Sequence, residues 1–427
     1  MPGTPTSLKP RPMVQPTMNT LLLACALLCL CLSCTEADSS SAPLAPSWHF
    51  ALESPGGDLP FQLDFVQGGS ELGAQILNGD ERIIVGEVQR NGRDLVLRLE
   101  PYDSFLHLQL SSDGQSMSGR WEKFTGANKK SGLGVHAIAG ALPRFDLTAT
   151  DDAQRKRIDG RWAVQFESDE SIAVGHFESF DDGRARGTFE TTLGDYRFLA
   201  GSFDGERLLL SCFDGGHAFL FDARLSEAGE LKGDFWSRDS WHETWSAKKD
   251  PKVELPDSFG LTQWTGAIGL EELAFPDLAG ETMSLADAKF AGKGRIITLF
   301  GTWCPNCNDE AAFLAELHER YAPRGLSILG LAFELDDDFD RSRRQVKRFA
   351  SRHGVDYPIL IAGTADKKPA SEAFPAIDRV RAYPTAIFLD QKGEVRAIHT
   401  GFSGPATGEA HERMKERYEL LIEGLLR

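Results

Sequence analysis

Two thiols three positions apart, Cys304 and Cys307 in Cys304-Pro305-Asn306-Cys307, are the residues of this chain best placed to do chemistry. The spacing suits reversible disulfide exchange, in which one thiolate attacks a disulfide and the second thiol releases the mixed disulfide that forms. The apolar run at residues 296–300 precedes the pair and a helix-like stretch follows it. A strand-to-helix junction of this kind sets the first thiol against the unpaired N–H groups and positive dipole end of a helix, which favour the thiolate. A zinc site would need four ligands; no second Cys pair is present and the ten histidines are scattered, so no metal is expected, and no cofactor either.

The segments that must hold the pair alternate. Strands are expected near 272–276, 281–284, 295–301, 326–333, 357–361, 385–390 and 394–400, and helices near 307–322, 337–353, 371–379 and 407–426. This alternation implies an α/β sheet covered on both faces. Residues 259–427 form that domain, behind a linker at 248–258 that carries Pro251, Pro256 and mixed charge.

Phe300-Gly301-Thr302-Trp303-Cys304-Pro305-Asn306-Cys307, Glu310 and Tyr383-Pro384-Thr385-Ala386-Ile387-Phe388 together resemble the thioredoxin-fold domain of the TlpA/ResA type, membrane-tethered bacterial thiol–disulfide oxidoreductases. The resemblance covers about residues 262–427. It implies that Cys304 attacks, that Cys307 resolves, that the two form the redox-active disulfide, and that Pro384 is a cis-proline facing them. Trp303, Pro305, Tyr383 and Pro384 would then meet the substrate, with the Tyr383 backbone open to an extended strand. The plainer reading of Pro384 is a proline at a strand entry. Glu310 lies about one turn beyond Cys307, where the family has an acid able to accept the resolving thiol's proton; the alternative is a solvated helix charge beside Asp309. Many thioredoxins carry a buried acid six residues before the first cysteine, and here Thr298 stands at that place.

Residues 48–247 read differently. Leu95-Val96-Leu97-Arg98-Leu99 and Phe105-Leu106-His107-Leu108-Gln109-Leu110 alternate with period two, and turns rich in Gly, Asp and Asn separate such runs. The expected fold is all-β, an antiparallel sandwich or barrel. It is also expected to be internally duplicated: residues 79–86 line up with 194–201, 92–97 with 205–210, and Gly119-Arg120-Trp121 with Gly233-Asp234-Phe235. Cys212 falls in one of these strands and reads as a small buried residue. Asp336-Asp337-Asp338 read as the solvated start of a helix.

Lys9 and Arg11 precede an apolar run at 21–32 that is short for a spanning helix, so residues 1–33 read as a signal segment. Leu32-Ser33-Cys34 resembles a lipoprotein signal with Cys34 as the acylated residue, and 34–47 form a tether rich in Ser, Ala and Pro. The resulting expectation is a protein of the cell envelope or periplasm, lipid-anchored to a bacterial membrane. A net charge of -17 excludes a nucleic-acid partner, and loss of the signal segment makes the chain two units more negative. Protein disulfides are the expected substrates, and the resemblance adds a membrane electron donor. A peroxidase of the peroxiredoxin type is the alternative enzyme, although Gly301 stands where such enzymes have Thr. A binding protein whose β domain captures a ligand, with ancillary redox chemistry, is the alternative outside catalysis.

Overall fold

The structure, a computed structural model, describes residues 44–68, 71–100, 102–126, 129–147 and 152–427. Lys9, Arg11, the apolar run and Cys34 lie outside the described residues. No described helix is long and apolar enough to cross a membrane.

The first nine strands are β1 (Ser47–Ser54), β2 (Gly57–Gly68), β3 (Glu71–Asn78), β4 (Glu81–Ile84), β5 (Glu87–Asn91), β6 (Asp94–Leu99), β7 (Ser104–Leu110), β8 (Ser116–Gly126) and β9 (Lys129–Ala139). They form one antiparallel sheet in the order β4-β3-β2-β1-β9-β8-β7-β6-β5. Alternate residues point inward, so that Leu95, Leu97, Leu99, Leu106, Leu108 and Leu110 share a single core with Trp48 and Trp121.

A short helix α1 (Asp152–Arg155) leads to nine more strands. These are β10 (Gly160–Phe166), β11 (Ala173–Ser179), β12 (Arg184–Thr191), β13 (Gly194–Asp195), β14 (Leu199–Phe203), β15 (Arg207–Phe213), β16 (Ala218–Leu225), β17 (Glu230–Ser237) and β18 (Trp241–Lys249). Ladders β11–β12 and β12–β14 close this second sheet into a barrel, with β10 paired to both β11 and β18. Its interior is filled by aromatic rings, among them Phe166, Phe189, Phe221, Phe235 and Trp245.

The duplication is therefore one nine-strand meander used twice, closed in the second copy. Gly119 and Gly233 show why part of the pattern repeats. A Cβ on Gly119 would lie 1.9 Å from the carbonyl oxygen of His107 on the neighbouring strand, and one on Gly233 would lie 2.1 Å from that of Asp222. The inward Trp121 and Phe235 follow two positions later in each copy. The outer face of this barrel completes the core of the first sheet: Phe213 lies tilted 4.5 Å from Phe61 and edge-on to Trp121 at 5.3 Å.

The third part contains β19 (Ala274–Pro276), β20 (Thr282–Ser284), β21 (Gly294–Phe300), α2 (Pro305–Tyr321), β22 (Leu326–Glu334), α3 (Phe339–His353), β23 (Ile359–Thr364), α4 (Lys367–Ala373), β24 (Thr385–Leu389), β25 (Val395–Thr400) and α5 (Glu409–Leu425). Its main sheet runs β23-β22-β21-β24-β25, with β21, β22 and β23 parallel and β24 and β25 antiparallel additions. This is the thioredoxin-like α/β arrangement. Two expectations shift. The helix placed at 371–379 runs over Lys367–Ala373, because Phe374 precedes Pro375 and leaves helical geometry there. Lys248 and Lys249, expected in the linker, end β18 by pairing with Ala163 and Trp162.

Candidate redox site

β21, the central strand, is buried along its whole length and delivers the chain to the end of the sheet. Two anchors fix the turn that follows. The Thr302 backbone N–H and hydroxyl donate to the two Glu334 carboxylate oxygens at 3.0 and 2.7 Å, and Trp303 Nε1 donates to the Phe333 carbonyl at 2.9 Å. Cys304 then sits in extended geometry as the N-cap of α2, with Pro305 at the first helical position, where a missing N–H costs nothing. Asn308 Nδ2 donates to the Cys304 carbonyl at 2.8 Å and is itself held at Oδ1 by His353.

Both thiols are unbonded, Cys304 being 8 % and Cys307 1 % exposed. The Cys304 Sγ–H donates to the Tyr383 carbonyl at 3.3 Å, and the Tyr383–Pro384 peptide bond is cis. Burial pushes the Cys307 thiol well up, and its hydrogen bond with Cys304 and the nearby charge push it further. Trp303 meets Tyr383 edge-on at 5.7 Å. Thus Trp303, Cys304, Pro305, Cys307, Tyr383 and Pro384 are brought to one place.

Glu310 is not a solvated helix charge. It is 1 % exposed, accepts from the Thr298 hydroxyl at 2.5 Å and from the Tyr418 hydroxyl at 3.3 Å, and burial raises its pKa to about 7. Tyr418 in turn lies 2.9 Å from His399 Nδ1, whose pKa burial lowers to about 3, so that this imidazole is neutral. Sequence reasoning missed Tyr418 and His399, which no local motif marks. Asp309, expected to be a solvated dipole partner, is paired with Arg197 of the second barrel. Asp338 does cap α3, accepting from the Arg341 backbone N–H at 3.0 Å, while Asp336 pairs with the Arg341 side chain. Cys212 is fully buried among the aromatic rings of the second barrel.

The arrangement offers one thiol at a helix N-terminus, where the thiolate is favoured, a second thiol one turn inside, and a buried carboxyl poised near neutrality. The profile of the AhpC/TSA family matches residues 269–398. Thioredoxin-like protein YneN of Bacillus subtilis is 33% identical over 130 residues, spanning 30% of this chain and 68% of that protein. Thiol-disulfide oxidoreductase ResA of Halalkalibacterium halodurans is 28% identical over 147 residues, 34% of this chain and 70% of that protein. A solved thiol:disulfide interchange protein of the thioredoxin family from Chlorobium tepidum aligns with 36% of this chain and 93% of its own at 23% identity and TM-score 0.28. Through its C-terminal part the chain belongs to the thioredoxin-like thiol–disulfide oxidoreductases of the TlpA/ResA type, and it is an oxidoreductase.

Proposed function

We propose that the chain is an exported, membrane-tethered reductase of protein disulfides that works through Cys304 and Cys307. The Cys304 thiolate attacks one sulfur of a substrate disulfide and expels the other as a thiolate. Cys307 then gives up its proton and attacks Cys304, which releases the second substrate thiolate and leaves a Cys304–Cys307 disulfide. The substrate gains two electrons and the dithiol loses them; a membrane donor returns them. Glu310 is the proton acceptor for Cys307. The Tyr383 carbonyl and the cis Pro384 form the floor on which an extended substrate strand pairs, flanked by Trp303 and Pro305. Cys34 carries the lipid that keeps the protein in the cell envelope.

The observation that carries this reading is the placement of Cys304 as N-cap of α2 with Cys307 buried one turn inside. Insulin-disulfide reduction by the Cys304→Ser variant tests it: loss of turnover is expected, and retained turnover sinks the reading. Cys307→Ser should accumulate mixed disulfides on Cys304, which mass spectrometry of the trapped species identifies. Radiolabelled fatty acid should enter the wild-type chain and not Cys34→Ala.

A further inference from the structure

The first sheet and the barrel do not hang beside the redox domain; they sit on the end of α2 that carries the thiols. The loop at 191–197 and the turn at 214–217, both of the second barrel, meet Pro305 and Asn306. A Cβ on Gly194 would fall 1.7 Å from Asn306 Nδ2, and one on Gly216 would fall 3.1 Å from Pro305 Cγ. Gly216 also accepts at its carbonyl from Lys123 Nζ of the first sheet, at 2.8 Å, so all three parts converge beside Cys304. From the loop after β25, the Gly404 N–H donates to Asp195 at 2.5 Å and Ser403 Oγ to Glu190 at 3.1 Å.

One buried side chain ties this junction together. Arg197, 6 % exposed, pairs with Glu81 of the first sheet at 2.9 Å, with Asp214 of its own barrel at 3.5 Å, and with Asp309 on α2. A second tie lies on α3: Arg341 pairs with Asp103 at 2.6 Å and stacks 3.5 Å over the Phe124 ring, both from the first β unit. Within the buried Arg197 cluster, removing one partner leaves an unpaired charge in the junction and weakens it.

We infer that the two β units are a substrate-selecting cap on the dithiol: docked as here they admit only small disulfides to Cys304, and the strand of a protein disulfide enters after the cap lifts from α2. The inference rests on Cys304 as the attacking thiol. The occluded surface is the one a polypeptide must cover, since Pro305 and Asn306 are already taken by Gly216 and Gly194. Arg197 and Arg341 are two of the ties that hold the cap down, beside Arg348 to Glu100 at 3.7 Å and Arg352 to the Ile84 carbonyl at 3.1 Å on α3.

Alkylation of the reduced full-length chain separates access from catalysis. The rate at Cys304 is followed by peptide mass spectrometry with N-ethylmaleimide and with the same maleimide on a long polyethylene glycol chain, each normalised to glutathione. In the wild type the bulky reagent should lag well behind the small one. Asp309→Lys sets two cations face to face and should raise the bulky rate about tenfold or more while the small rate changes little. Arg341→Glu repels Asp103 from the other tie and should do the same without touching α2. A rise in the bulky-to-small ratio in either variant supports the cap. An unhindered bulky reagent on the wild type, or a ratio unchanged in both variants, overturns it. Neither outcome depends on turnover, so loss of the reductase reading would show separately, as small-disulfide reduction persisting in Cys304→Ser.

Discussion

The Thr298 hydroxyl donates to Glu310 Oε2 at 2.5 Å across the core of the redox domain, joining β21 to α2. Thr298 occupies the place where many thioredoxins keep a buried acid, and the acid of this chain arrives on the helix instead. With a pKa of about 7, Glu310 is divided between its two forms at neutral pH. A proton acceptor for Cys307 has to be ionised, so resolution of a mixed disulfide should speed up as pH rises through about 7. Glu310→Gln should slow that step roughly a hundredfold and erase its inflection. Stopped-flow decay of a preformed Cys304 mixed disulfide measures this, while the rate of alkylation at Cys304 should barely move.

The same carboxyl ties stability to pH. Its value is raised from 4.5 to about 7 by burial, so the neutral form is the one the fold favours. Its stabilising contribution is complete below about 4.5 and is lost as pH climbs through 7, a change on the order of 3 kcal/mol. Melting curves of wild type and Glu310→Gln between pH 4.5 and 8 should therefore converge or cross, with the wild type losing ground toward pH 8. A constant gap between the two curves would contradict the assignment.

Phe221 is the hub of the second barrel, with Phe235 stacked at 4.4 Å, Phe189 at 4.6 Å and Trp245 edge-on at 6.1 Å. Phe221→Ala opens a cavity that rigid strands cannot collapse into, at a cost of about 3–5 kcal/mol. Denaturant unfolding followed by tryptophan fluorescence should show the loss.

Native alkylation should discriminate sharply among cysteines. Cys212 is fully buried and burial raises its thiol well above the usual range. N-ethylmaleimide should label Cys304 in the folded chain and reach Cys212 only in denaturant; labelling of Cys212 under native conditions would show an opening of the second barrel.

What could be read from the sequence was what local pattern records. The thiol pair with its flanking strand and helix, the Tyr383-Pro384 junction, the period-two strands and the doubled Gly119/Gly233 positions all declare themselves within a few residues. What escaped depends on distant partners. Asp309 meets Arg197 across 112 positions and so looked like an ordinary helix charge, while Glu310, marked only through the family resemblance, meets Tyr418 across 108. The closure of the second meander depends on β12 pairing with both β11 and β14, which no strand signals alone.

Phe213 gives the duplication a further meaning. It belongs by sequence to the second repeat and by packing to the first, where it lies against Phe61 and Trp121 with Ala218 and Leu220 beside it. The two copies are thus no longer interchangeable beads: the later one has become the stopper of the earlier. An expression boundary drawn between the repeats, which their similarity invites, would leave one half with an unplugged core and the other with a greasy wall.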